Sequence, residues 1–522
     1  MKVCLRKIIQ LITSLIILIF SVACSKDTDL LADALVNDLQ NSYIDKTLLR
    51  DDFYSLTPNK DMVLDVLSND DISDIDNIKI VETSEPKNGT VTINNDNTIT
   101  YSPNTSNSEE YNQENDQPVS ENDNSSDTPD SSDSSVSSGS SGADSTTEQN
   151  QGSDDTFEYT TETQNEDGST TKQKASITIT ELSENVLHWK NRFDTKWEKD
   201  DESNADARSK SKNKRQEYYF LAHLINGQMA MWQATGDNNY LDTTLKLIDN
   251  TIKDAIPVGN GFLGWPTDDG TEYNLWDTFY WRHVATLIRI MHQSPNLRAS
   301  GYQAKYEELL EFTEKNIWDR YESYGQSNIY RSRTHMASHW ARLGMELFIV
   351  TGKQKYKDVF DNISHGKMAG RPSNLRDQLF PNPKNKEAYA WDKTWGVSKG
   401  SDMQDISHAG AIIHFWVLAE ENGMYWNRAD IDALLKTIRI FWIESDPSRI
   451  KNNVDGSGGY TNPGRLHEWF YLARFDSKLQ KRLRETYNGK HLNFFGSQVL
   501  GIGALNEKIL EDGAPVYPEQ FR

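Results

Sequence analysis

The chain has 11 histidines in 522 residues. Six of them stand within about two turns of the start of a helical pattern. Tyr219, His223 and Asn226 share one such segment, and Trp276, Asp277, Tyr280, Arg282 and His283 a second. Tyr330, Arg333, His335 and His339 open a third, Gln404, Asp405 and His408 a fourth, and Arg465, His467 and Glu468 a fifth. Helix N-termini carry partial positive charge and free N–H groups, which suits an anionic ligand. The same field lowers the pKa of a histidine and favours the neutral imidazole that a general base needs.

Arginine, asparagine or glutamine can pair with a sugar carboxylate and so acidify the neighbouring C–H. A tyrosine or histidine can then take that proton, and another can protonate the leaving glycosidic oxygen. This is β-elimination from a uronic-acid polysaccharide, and nothing in it requires a metal or an organic cofactor. The expected catalytic set is His408, Tyr330, His339 and Arg333, with Tyr389 in reserve. The expected substrate-binding set is Asn226, His223, Trp276, Tyr280, His283, His335, Gln404 and Arg465. Trp265, Trp276, Trp281, Trp391 and Trp395 add aromatic faces that pack on pyranose rings. The chief alternative is an inverting glycoside hydrolase, which needs two carboxylates roughly 6.5–9.5 Å apart. Asp277 and Asp405 stand at suitable positions for it, with Asp268, Asp269 and Glu272 nearby. A non-catalytic glycan-binding lipoprotein is the other.

Those side chains share a site only if the helices carrying them run side by side. Apolar periodicity predicts helices near 216–235, 239–254, 276–293, 302–318, 334–351, 353–367, 403–422, 428–444, 466–474, 476–487 and 495–511. Short turns with glycine, Thr235-Gly-Asp-Asn-Asn-Tyr240, Thr351-Gly-Lys-Gln-Lys-Tyr356 and Glu421-Asn-Gly-Met-Tyr425, follow alternate helices. Long loops, 255–275, 319–333, 368–402 and 445–465, follow the others. That alternation predicts an all-α (α/α) toroid of five to six helical hairpins over 187–522, the less charged helices inside and every long loop on one rim. A solenoid of helical repeats is the alternative.

Upstream, Met62–Leu67, Ile78–Val81, Thr90–Ile93 and Thr98–Tyr101 alternate apolar and polar residues between Asn and Gly turns, which predicts a small all-β sandwich. Asp65-Val-Leu-Ser-Asn-Asp70 and Pro86-Lys-Asn-Gly-Thr-Val91 resemble bacterial cadherin-like and Ig-like repeats. In those repeats a strand of the type Asp155-Thr-Phe157-Glu-Tyr159 closes the sheet. The sandwich is thus expected over 50–182, with an insertion at 104–153 too poor in apolar residues to order itself. Asp65, Asp70, Asp71 and Asp74 are expected as solvated loop carboxylates, with calcium as the alternative.

Lys2, Arg6 and Lys7 precede the apolar run Ile8–Phe20, and Ser21-Val22-Ala23-Cys24 resembles a lipoprotein lipobox. The expectation is a signal peptide over 1–23, lipid on Cys24, a tether over 24–49 and an outer-membrane lipoprotein facing the cell surface. Cys4 and Cys24 are the only cysteines, so disulfides and thiolate chemistry are excluded. The net charge of −23 lies almost wholly before residue 187. The remainder is close to balanced, which excludes a basic nucleic-acid-binding domain. The basic run Arg208–Arg215 reads as a solvated helix entry.

With these features assembled, residues 187–522 resemble the (α/α)-toroid polysaccharide lyases of marine Bacteroidetes, among which ulvan, alginate and glucuronan lyases are nearest in kind. The resemblance rests on Gln404-Asp-Ile-Ser-His408-Ala-Gly-Ala, on Thr334-His-Met-Ala-Ser-His339-Trp and on the lipoprotein-plus-sandwich layout. It implies a lyase acting on an anionic polysaccharide. The Asn-Asn-His-Arg type signature of some alginate lyases is absent, which weighs against alginate; within the class the expected substrate is ulvan.

Overall fold

The computed structural model describes residues 48–513, apart from 57–59, 71, 73–74, 105–153, 166–167, 212–213, 444, 488–490 and 493–494. The expected signal peptide and Cys24, nearly all of the expected insertion, Asp71 and Asp74 lie outside the described residues. No helix among the described residues is long and apolar enough to cross a membrane.

The first unit is the expected sandwich. Strands β1 (Asp52–Leu56), β7 (Thr170–Glu181), β6 (Asp155–Gln164) and β3 (Ile78–Thr83) form one sheet in that order. Strands β2 (Met62–Leu64), β5 (Ile99–Pro103) and β4 (Gly89–Ile93) form the other. β1 runs parallel to β7, and the remaining pairs are antiparallel. Alternate residues, among them Leu64, Ile78, Ile99, Tyr101, Phe157, Tyr159 and Ile177, fill the space between the sheets. Asp155 clamps the β4 end. Its carboxylate accepts the Tyr101 hydroxyl at 2.8 Å and the amides of Lys87 and Asn88 at 2.7 and 2.8 Å. Asp70 is turned inward, accepting the Arg50 amide at 2.6 Å and the Tyr159 hydroxyl at 3.4 Å, so it is not a solvated loop carboxylate.

The second unit is a closed toroid. Its inner wall is α2 (Lys214–Thr235), α4 (Asn274–His292), α6 (Thr334–Thr351), α8 (Ile406–Glu421), a 3-10 helix (Pro463–Phe475) and α11 (Gly496–Asp512). Each packs on the next, and α11 packs on α2 to complete the ring. The outer wall is α1 (Glu184–Lys196), α3 (Asn238–Lys253), α5 (Gln303–Phe312), α7 (Gln354–Ser364), α9 (Arg428–Phe441) and α10 (Ser477–Thr486). A seam of small residues closes the ring. A Cβ on Gly501 would strike the Gly227 carbonyl, and one on Gly227 would lie 2.6 Å from the Ser497 carbonyl. Gly236, Gly352 and Gly423 adopt left-handed φ of 74°, 69° and 64° at the short turns, as expected.

Two elements depart from the sequence expectation. α1 begins ahead of the first expected helix and backs α11 as its outer partner. The segment expected as an α-helix near 466–474 is 3-10, so that Leu466, Trp469 and Leu472 fall in one row and His467, Phe470 and Ala473 in the next.

The sandwich docks on the outer wall through Ser55, whose Oγ lies 3.4 Å from the Asp237 carboxylate, and through Phe53, which packs against the toroid core. Within the toroid the Tyr302 hydroxyl donates to Asp242 at 2.9 Å. Arg50 lies over the Tyr302 ring. Burial pushes Asp242 up to about 6, against the opposing effects of the Tyr302 hydrogen bond and Arg50. The folded value lies above the unfolded one, so the native state is favoured while Asp242 is protonated and loses stability as pH rises through about 6. Asp242→Asn should therefore raise the melting temperature at pH 8 and change it little at pH 4. The stabilisation at pH 8 should be at most about 3 kcal/mol. Equal shifts at both pH values would overturn this assignment.

Candidate active site

The inner helices run in one direction, so their first turns share the rim that carries the long loops. A cleft of about 80 Å³ opens there, lined by Tyr219, Trp276, Phe279, His335, His339, His408, His467 and Glu468 together with Leu275, Ser407 and Ala411. Five of the six inner elements contribute a side chain.

Asp405 and His408 form its most exposed polar pair. Asp405 is the N-cap of α8, and its carboxylate accepts the His408 amide at 3.1 Å. Both carboxylate oxygens also lie 2.9 Å from His408 Nδ1. The Asp-x-x-His spacing does this directly: a side chain at the N-cap reaches the third helical residue. Burial raises Asp405, but the hydrogen bonds and charge of His408 outweigh it and hold the carboxyl down to about 2. The imidazole is thereby oriented through Nδ1, which leaves Nε2 for a ligand. The His335 ring stands 4.5 Å away, centroid to centroid.

Of the other imidazoles, His339 and His467 are buried and His335 is half-buried. Burial lowers His335 to about 3 and His467 to about 4, and it takes His339 well below the usual range. They are neutral groups. The walls are aromatic: Tyr219 meets Trp276 edge-on at 5.5 Å, Phe279 meets His339 at 5.3 Å, and Phe495 stacks on His467 at 4.1 Å.

Beneath them Glu468 accepts Arg282 Nη2 at 2.8 Å, and His414 Nδ1 lies 3.1 Å from the same oxygen. Burial raises Glu468, yet Arg282 and His414 keep it well below the ordinary carboxylate range. Glu468 is a fixed negative charge under the cleft and not a proton donor.

Of the expected site residues, the structure brings His335, His339, His408 and Trp276 to the cleft. Gln404 is buried beside it, accepting the Thr334 hydroxyl at 2.9 Å and donating to Asp405 at 3.2 Å. Arg465 is exposed on the rim, where its charge acts on Tyr219. Arg333 caps α6 and is tied to Thr394 and Asp402. His223, Asn226 and His283 are buried in the toroid wall. His223 Nδ1 lies 2.9 Å from Gln498, Asn226 donates to the Tyr471 hydroxyl at 2.8 Å, and His283 Nδ1 lies 3.5 Å from Arg342.

Three expected tyrosines do not reach the cleft. The Tyr330 hydroxyl accepts from Asn362 of α7 at 3.0 Å. The Tyr389 hydroxyl donates to Asp430 of α9 at 2.9 Å. Tyr280 is stacked on Tyr218 at 4.6 Å within the wall. Phe279 and the floor position of Glu468 were missed. The spacing of Phe279 three residues after Trp276 was the available signal.

Residues 45–115 match a bacterial Ig domain family model. No curated protein matches. Among solved structures, the chain is similar to an alpha-1,6-mannanase of glycoside hydrolase family 76 from Salegentibacter, an inactive variant in complex with alpha-1,6-mannotetrose. Identity is 11%, with 63% of this chain and 99% of that one covered, at a TM-score of 0.37. It is also similar to a family 76 glycoside hydrolase from a bovine Bacteroides thetaiotaomicron strain, at 13% identity, 69% and 85% coverage and a TM-score of 0.33. A family 76 mannosidase from Bacteroides thetaiotaomicron gives 11%, 57%, 88% and 0.35. Likeness this slight carries no substrate or mechanism across.

These matches are to glycoside hydrolases, and the expected polysaccharide lyase is overturned. The geometry supplies a reason: the tyrosines and arginine assigned to β-elimination hold outer helices and loops instead of meeting in the cleft. The carboxylate pair expected for a hydrolase is altered as well. Asp277 is buried against Arg320 and Tyr321, which leaves Asp405.

Removing one partner of a buried ion pair strands the other charge. Glu468→Gln should lower unfolding stability by about 3–5 kcal/mol, and the double variant with Arg282→Met should lose less. Denaturant titration distinguishes the two, and an equal loss in both would show that the pair is not coupled.

Proposed function

We propose that the toroid is a glycan-processing hydrolase in which the Asp405–His408 pair moves the proton, and that its substrate is an anionic polysaccharide. The observation that carries this reading is the exposed imidazole of His408, gripped through Nδ1 by both oxygens of an ionised Asp405 in an aromatic-walled cleft.

Hydrolysis of a glycosidic bond requires a proton on the leaving oxygen and the removal of one from water. His408 can do both in turn through Nε2. As imidazolium it donates to the leaving oxygen while the glycosidic C–O bond breaks to leave an oxocarbenium-like centre. As imidazole it then takes the proton of the water that forms the new C–O bond there. Asp405 stays ionised throughout, fixing the ring and stabilising its charged form. Trp276, Phe279 and Tyr219 give the sugar an apolar face to pack on. Glu468 lies beneath, where a negative charge favours the oxocarbenium-like transition state, though Arg282 offsets part of its field.

Turnover is measured as reducing ends released from a panel of neutral and anionic polysaccharides. His408→Ala and Asp405→Asn should each lower kcat by about 10²–10⁴-fold with KM little changed. Wild-type kcat in either variant would remove that residue from the chemistry. Binding to the panel without reducing ends from the native chain would establish a glycan-binding protein instead.

We also infer that Cys24 carries a lipid that anchors the chain at the outer membrane, facing outward, with the sandwich as spacer. The support is the basic, apolar and small-residue order of residues 1–24. Cys24→Ser should abolish incorporation of labelled palmitate and release the protein from the membrane fraction. Retention of label in that variant would refute the anchor.

A further inference from the structure

Between α9 and the 3-10 helix the chain makes a hairpin, Ile450–Lys451 paired with Tyr460–Thr461. Its base is fastened beside the catalytic pair. Asp405 bridges Asn453, the Ile406 amide donates to the Asn452 carbonyl at 2.9 Å, and the Val454 amide donates to the Gln404 carbonyl at 3.1 Å. Lys451 therefore adjoins the residue that holds the first turn of the His408 helix.

Tyr460 is 49% exposed. Arg449 and Lys451 lie over its ring, 4.0 and 3.9 Å from the centroid. The Arg449 guanidinium has one carboxylate near it, Asp446 at 3.9 Å, and Lys451 Nζ donates to the Gly458 carbonyl at 3.3 Å. Lys384 joins the hairpin tip through the Gly456 carbonyl at 2.6 Å. Arg465, which follows the hairpin at the cleft lip, is exposed and makes no ion pair among the described residues. Glu444, Asp446 and Asp455 are the acids of residues 442–465 and Arg449, Lys451 and Arg465 the cations, so the segment is balanced overall, with Arg449 and Lys451 gathered at Tyr460.

Both cations stand against the one ring, so an anion bound at its edge would be attracted by both. An exposed aromatic edge beside them offers a sugar ring contact area.

We propose that the hairpin is a glycan subsite, in which Arg449 and Lys451 bind a carboxylate or sulfate of an acidic chain and Tyr460 packs on the sugar that bears it. Arg465 carries the next acidic group to the cleft. The proposal rests on the glycan reading of the cleft but not on turnover there.

The test is affinity electrophoresis of the full chain, in the His408→Ala background so that no polymer is consumed. Polygalacturonate supplies carboxylates, dextran sulfate supplies sulfates, and a neutral mannan serves as control. Arg449→Ala with Lys451→Ala should weaken binding to the preferred acidic polymer about ten-fold and flatten its salt dependence. Tyr460→Ala should weaken it less, and mannan retention should not change. Whichever polymer is preferred identifies the acidic group. Unchanged retention in the double variant, equal loss on mannan, or no preference of the parent for either acidic polymer would overturn the subsite. Binding lost in the double variant, in a protein that releases no reducing ends, would keep the subsite and discard the hydrolase.

Discussion

A guanidinium with no exposed surface must find a carboxylate, and in this toroid that requirement organises the axis. Arg282 of α4 reaches Glu468 of the 3-10 helix, and His414 of α8 shares the same oxygen. Tyr471 stacks on His414 at 3.6 Å, and its hydroxyl takes Asn226 of α2, which is joined in turn to Gln498 of α11. Arg342 of α6 donates to Thr286 at 2.8 Å, and Thr286 donates to Glu346. All six inner elements are thus tied into one polar network along the axis. Each link is in a site from which water is excluded, where an unmade hydrogen bond is costly. The cleft is the end of this network that reaches solvent.

That origin explains the division among the histidines. Of the six on the expected rim, His223, His283, His339 and His467 are buried and His335 is half-buried, and desolvation keeps those five neutral. His408 alone stands out from the wall with a carboxylate behind it. The same physics therefore yields a structural majority and one exposed exception, from identical side chains at similar positions along their helices.

Much of this was legible beforehand. The alternation of glycine turns with long loops gave the toroid, and the spacing of Asp405 and His408 on one helical turn placed both on the rim. The sandwich followed from period-two patterning, and the late return strand that begins at Asp155 from the resemblance to Ig-like repeats. What was not legible was which way a side chain turns outside a regular helix. Tyr330 lies in a loop and Tyr389 in a three-residue strand, both too short of pattern to assign a face, and their hydroxyls pair with outer helices. Asp277 and Tyr280 sit on α4 but face its neighbours in the wall; a helix buried nearly all round gives no apolar stripe from which to read orientation. The 3-10 geometry of Pro463–Phe475 likewise depends on what packs around it.

Closure of the ring also bears on how the chain acquires its structure. The contact between His223 and Gln498 joins residues 275 apart in sequence, and α11 is the last stave to be made. Until it arrives, α2 exposes the flank that Gly227 presents to it, and the axial network lacks a side. Contacts this distant impose a large entropic cost before they return any stabilisation, so folding is slow and late. The consequence is a latch at the end of the chain: a ring that cannot shut before its final helix is made stays unlocked until nearly all of its staves are in place.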